Sequence, residues 1–226
     1  MDIKTFHSSS KGNLYQVDDL LIDPGVSAKK VEIALDFDLH NITGCLCSHA
    51  HKDHSKGLKG LTLSGIDCYM TKDTAADLEL SGHRVHIIEP MVQFRIGSWR
   101  ILPFNLIHDI DNVGFLASSG VEKLLFCIDT QYISARFDGL THIMIECNYS
   151  VEILKENVRN GLDKEVAKNV IRNHMSLETA KGFFKANDMS KVQEIHLLHL
   201  SDGNSDAKMF QSEIQKITGR PVYIGG

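Results

Sequence analysis

The segment Ser48-His49-Ala50-His51-Lys52-Asp53-His54 gathers three imidazoles and a carboxylate in the H-x-H-x-D-H pattern. That spacing suits metal ligation. His49 and His51, two apart in an extended stretch, project to the same side. Asp53 and His54 follow where the chain turns toward a helical stretch. One compact loop can thus offer two ligands to one ion and two to a neighbour. Imidazole and carboxylate suit zinc, iron or manganese. A surface loop rich in histidine is the plain alternative. Four ligand-type residues at this spacing, directly after an apolar strand, are hard to obtain by chance.

Three further residues of the same chemical types lie at or just beyond apolar runs: His108 in LIHDIDNVGF, Asp129 in LLFCIDTQY and His199 in HLLHLSDGN. Each is a weak signal alone. Asp23, in LLIDPG, reads either as a residue orienting a ligand imidazole by hydrogen bond or as a D-P-G turn residue. His7, His40, His83, His86, His142 and His196 read as non-ligands. The five cysteines are odd in number, which argues against a disulfide framework. Most sit in strand-like runs and read as small buried hydrophobes.

The elements that must position these residues change character midway. The first half shows short strands broken by turn signals, expected over 2–6, 13–17, 20–22, 42–48, 67–70, 85–88, 92–96, 99–106, 114–118 and 123–128. Asp18-Asp19 fits a two-residue hairpin turn. One helix is expected after His54, and another over 73–80 with Thr71 or Lys72 near its cap. The second half predicts a strand over 142–147 and helices over 151–160, 164–173 and 177–187, the last capped by Ser176. A strand over 194–198, a helix over 207–218 and a strand over 221–224 complete it. Two β-rich halves, each ending in helices, predict a mixed α/β (α+β) protein built as a four-layer αββα sandwich. No repeat or linker-like tract divides the chain, so one domain over 1–226 is expected.

At 42% hydrophobic and 23% charged, 226 residues can bury a sizeable core. No apolar run approaches the roughly 18 residues that span a bilayer. Met1 to His7 lacks the basic and apolar regions of a signal peptide. The expected location is therefore the cytoplasm, with no membrane partner. A net charge of −5 weakens the case for a long basic track along nucleic acid. A local basic patch or bound cations can still serve a polyanion.

These motifs, in this order, resemble those of metallo-β-lactamase-fold hydrolases over nearly the whole chain. The resemblance implies two divalent metal ions, zinc first and manganese second. One would be held by His49, His51, His108 and Asp129, the other by Asp53, His54, His199 and Asp129, which bridges both. Asp23 would support the ligand loop. Phe6-His7-Ser8-Ser9-Ser10-Lys11-Gly12-Asn13 resembles the S-S-x-G-N loop of a subgroup containing bacterial 5′→3′ exonucleases and a cyclic-phosphate phosphodiesterase. Glu146-Cys147-Asn148 resembles its E-x-N, Asn173-His174-Met175-Ser176 its G-H-L-S, and His199-Leu200-Ser201 its H-L-S. Asn173 and Met175 depart from that pattern.

The resemblance implies a phosphoric diester hydrolase. A water activated between two ions about 3.5–4 Å apart would attack phosphorus. Asp53 would help to orient the nucleophile. His174 would bind the phosphate or protonate the leaving group, although a helix-terminal histidine interacting with the dipole reads the same. Ser9, Ser10 and Asn13 would contact substrate, or simply form a turn. The substrate is expected to be nucleic acid, cleaved in DNA exonuclease fashion, or else a small cyclic phosphodiester or cyclic nucleotide. Thioester or lactone hydrolysis is a further alternative. A flavin-partnered di-iron reductase is disfavoured, because its H-x-E-x-D pattern has His51 at the second place here. A homodimer is left open.

Overall fold

The computed structural model describes residues 1–225. By its internal contacts the chain forms two compact units. Unit 1 comprises Met1–Asn105 with Ile110–Gly120, and unit 2 comprises Leu106–Asp109 with Val121–Gly225.

Unit 1 contains β1 (Ile3–Ser9), β2 (Gly12–Val17), β3 (Leu20–Ile22), α1 (Ala28–Ala34), β4 (Gly44–Leu46), α2 (Lys52–Ser55), α3 (Leu58–Leu63), β5 (Cys68–Thr71), α4 (Lys72–Asp77) and β6 (Val85–Ile88). These six strands form one sheet in sequence order. The first three are joined antiparallel through tight turns, the second of them at Asp18-Asp19. From β3 to β6 the pairing is parallel. Parallel neighbours need a crossover, and α1, the α2–α3 pair and α4 supply the three. Strands β3 and β4 read as continuous apolar runs because every residue in them is buried. Leu14, Leu21, Val31, Cys45, Leu58, Leu61 and Met70 belong to one core cluster. An antiparallel meander follows: β7 (Phe94–Ile96), β8 (Trp99–Asn105) and β9 (Val113–Ser119). The buried Trp99 ring donates its N–H to Asp19 Oδ1 at 2.7 Å.

Unit 2 is a parallel ladder of β10 (Glu122–Cys127), β11 (His142–Glu146), β12 (Glu194–Leu198) and β13 (Val222–Ile224). Helices α5 (Val151–Arg159), α6 (Lys164–Asn173) and α7 (Leu177–Ala186) connect β11 to β12, and α8 (Ala207–Thr218) connects β12 to β13. Each begins on a side chain that accepts a backbone N–H: Ser150, Asp163, Ser176 and Asp206. Ser176→Ala removes the acceptor for Thr179 N–H, 3.1 Å away. It should lower stability by about 1 kcal/mol. An unchanged urea midpoint would show that the cap contributes nothing.

Most expected elements are present, with shifted ends. The strand expected over 42–48 is shorter, because the chain leaves the ladder after Leu46 to form the histidine loop. The helix after His54 is two short pieces interrupted at Gly57. Helix α1 was not expected: over its seven residues only Val31 is fully buried, too weak a period to read. The five cysteines are buried and form no disulfide among the described residues. Burial pushes the thiols of Cys45, Cys47, Cys127 and Cys147 well up, which keeps them inert. No described helix is long and apolar enough to cross a membrane.

Candidate metal centre

In unit 1 the histidine loop is built on the carboxyl end of β4 and gripped from below by the segment after β3. Asp23 is fully buried in the left-handed region, φ 49°, a conformation that aspartate tolerates better than most residues. Its N–H donates to Leu46 O at 2.9 Å. Its Oδ1 accepts from Ser48 N at 2.8 Å, and its Oδ2 from Ser48 Oγ at 2.7 Å and from His54 Nδ1 at 2.8 Å. Because the Ser48 hydroxyl proton goes to Asp23, Ser48 Oγ is left to accept from His49 Nδ1, 2.9 Å away. Both imidazoles are therefore protonated on Nδ1, and Nε2 of each keeps its lone pair, the form that ligates metal.

The loop sits on Gly25. A Cβ there would overlap the backbone carbonyl of Asp53 and come within 2.7 Å of His54 N. Asn13, expected to contact substrate, is instead fully buried. Its amide donates to Asp53 O at 3.0 Å and lies 3.1 Å from His54 Nε2. Asn13 thus holds the loop rather than presenting itself to a ligand. Ser9 ends β1, and Ser10 lies at the exposed hairpin tip.

The loop's four side chains fall into two pairs. His49 Nε2 lies 3.2 Å from His51 Nδ1, and His54 Nε2 lies 3.4 Å from Asp53 Oδ2. Two donors on one tetrahedral zinc ion stand about 3.3 Å apart, given bonds near 2 Å. Each pair therefore fits one ion in both chemistry and spacing.

Unit 2 contributes a second cluster, at the carboxyl ends of its parallel strands. Asp129, two residues past β10, and His199, directly after β12, are buried with φ of 50° and 54°. The two oxygens of Asp129 diverge. Oδ1 lies 3.1 Å from His199 Nδ1, and Oδ2 lies 4.0 Å from His108 Nε2. A carboxylate so divided has the shape of a bridge. Ile107 N, beside His108, donates to Thr130 Oγ1 at 3.0 Å, tying that loop to the Asp129 turn. Asn148 Nδ2 donates to His199 O at 2.7 Å.

Glu146 was read only as part of a motif, and the structure gives it a place. It ends β11 fully buried, and with Asp129, His174 and His199 it forms a cluster spaced to hold an ion. Its Oε2 accepts from Thr130 N and Met175 N, each at 3.1 Å, and its Oε1 lies 2.6 Å from His174 Nδ1. Burial would raise the Glu146 carboxyl, but His174 outweighs it and the net direction is down. Burial likewise opposes the charged form of His174, yet Glu146 and Asp129 raise it to about 10. A carboxylate closing the apolar run Ile143-Met144-Ile145 was the signal available.

Of the histidines read as non-ligands, His196 lies 3.3 Å from Glu194, and His86 lies 2.9 Å from Asp67.

Residues 19–199 match the family described as the Beta-lactamase superfamily domain. Exodeoxyribonuclease YycJ of Bacillus anthracis is 25% identical over 93% of this chain and 86% of its own. The metallo-β-lactamase fold protein YhfI of Bacillus subtilis superposes with a TM-score of 0.71 at 15% identity, over 98% of this chain and 95% of that one. Zinc-bound PqqB of Methylobacterium extorquens gives 0.72 at 12% identity, over 100% and 98%. The fold is thus of the metallo-β-lactamase type, with the mixed sheets and helices expected from the element pattern.

Proposed function

The chain belongs to the β-lactamase superfamily of metal-dependent hydrolases, and from that premise we propose that it is a dinuclear phosphodiesterase acting on nucleic acid as an exonuclease. The two units then work as one domain spanning the whole chain. One ion would be held by His49, His51, His108 and Asp129, and the other by Asp53, His54, His199 and Asp129. The observation that carries this reading is the pairing of donors. The loop presents two pairs, each at single-ion spacing, and Asp129 turns its oxygens to two different histidines.

When bound, two divalent ions supply Lewis-acid stabilisation of charge on the phosphoryl oxygens and a more acidic water. The remaining work falls to the protein. Asp23 and Ser48 fix two imidazoles as lone-pair donors. Asp53 orients the nucleophile. Glu146 grips Nδ1 of His174, which leaves Nε2 to donate to the phosphate or the leaving oxygen. Ser9 and Ser10 contact the substrate from the hairpin tip. The nucleic-acid assignment draws on the exodeoxyribonuclease relative.

The test is a substrate panel on zinc- or manganese-loaded protein. It compares linear DNA, RNA, cyclic nucleotides, bis(p-nitrophenyl) phosphate and a thioester. Linear DNA shortened from an end is the expected result, with two metal equivalents per chain. Cyclic nucleotides consumed while DNA stays intact would replace the nuclease reading with a small-substrate one. A preference for the thioester would overturn the phosphodiesterase class.

A further inference from the structure

Beside the histidine loop, wholly within unit 1, lies a cleft of about 570 Å³. Lys11, Lys52, Lys56 and Lys59 line it together with one carboxylate, that of Asp53. Lys52, Lys56 and Lys59 are spaced four and three apart, so on a helical path they share one face. All three are exposed, and none forms an ion pair among the described residues. Four cations around one cleft run against the chain's balance of −5. The like charges of Lys52, Lys56 and Lys59 repel one another, and an anion in the cleft relieves that cost.

We infer that this cleft binds the sugar-phosphate backbone of a nucleic-acid strand beyond the bond being cleaved. The inference rests on the phosphodiesterase reading and deepens it. Asp53, a proposed ligand, lines the cleft with the lysines, so the cleft adjoins the metal loop. From residue 52 to residue 59 a helical path rises about 10 Å, so the lysine row can face more than one phosphate. A cyclic nucleotide has a single phosphate, which the metal centre itself would engage, and it would leave Lys56 and Lys59 without a partner. The apolar side chains of Leu78 and Leu80, which also line the cleft, suit sugar or base faces rather than a second charged group. A strand needs such a track, and a small phosphodiester does not.

The test compares wild type with Lys56→Gln/Lys59→Gln and with Lys56→Arg/Lys59→Arg. The first readout is fluorescence anisotropy of a labelled single-stranded DNA oligonucleotide on metal-stripped protein, which makes binding independent of catalysis. The glutamine pair should weaken binding by about tenfold and lower the slope of log K against log salt by about 1.4, two phosphate contacts' worth. The arginine pair should keep both. The second readout, on metal-loaded protein, is kcat/KM for the oligonucleotide against that for bis(p-nitrophenyl) phosphate. Only the first should fall. Wild type that fails to bind the oligonucleotide, or a glutamine pair that binds with unchanged affinity and salt slope, would overturn the inference. Oligonucleotide binding as expected without cleavage of any phosphodiester would instead defeat the functional reading and leave the polyanion cleft standing. An unchanged thermal midpoint of the glutamine pair separates charge loss from unfolding.

Discussion

Asp129→Ala should load neither metal position firmly and should lose at least about a thousandfold in phosphodiester turnover. Its two oxygens face different histidines, so one truncation removes a donor from both proposed ligand sets. Removing His108 would cost only one set. The measurement is metal content after dialysis, followed by turnover of bis(p-nitrophenyl) phosphate. The substitution also takes a carboxylate away from the buried neighbourhood of Glu146. It also removes a partner of His174 and His199, and circular dichroism of the metal-free variant separates loss of metal from loss of fold. A variant that retained two tightly held ions and near-normal turnover would end the bridging account.

Gly25→Ala is the second large effect, and it acts without altering any ligand side chain. The new methyl would overlap the Asp53 carbonyl, so the loop must move before the chain can accept it. That loop is also clamped by Asn13 and Asp23, and it cannot move without breaking buried hydrogen bonds. We expect a destabilisation of about 3 kcal/mol or more. Turnover should fall by about a hundredfold, since a misplacement near 1 Å is that costly. Gly182→Ala is the matched control. It lies within α7, and a Cβ there meets nothing. It should be neutral or stabilising by up to about 1 kcal/mol. Equal losses from both substitutions would remove the steric explanation.

Much of this architecture was legible in residue patterns. The spans of β3, β6, α6, β12 and α8 coincide with their expected ranges. Continuous apolar runs and clear helical periods carry their own ends. The residues with ligand chemistry stood out because Asp129 and His199 are polar residues directly following apolar strands. Asn13 was read as a substrate contact because S-S-x-G-N resembles a phosphate loop, and in the structure it is buried against the histidine loop. Nothing in one strand reveals that Asn13 turns inward to meet a loop 40 residues later. Glu146 stayed without a role for the same reason, since its partners Thr130 and Met175 come from distant turns. The division of contacts into two units was equally invisible, because no change of composition marks it. The net charge argued against a long basic track, and the lysines of α2 and α3 are a local exception to that average.

Three of the residues at the proposed centre, Asp23, Asp129 and His199, share a backbone state that side-chain-bearing residues seldom occupy. Each follows the last turn-ward step of a strand, where a left-handed twist swings the next side chain out of the sheet's alternation. A relaxed chain would forgo that twist at a gain of roughly 1 kcal/mol per position. Selection for robustness alone would therefore favour glycine or asparagine at all three places, and each such change would blunt the chemistry. The protein's tolerance to heat and its readiness to hydrolyse are thus set against each other at three specific peptide units, and any attempt to harden this scaffold has to leave those units alone.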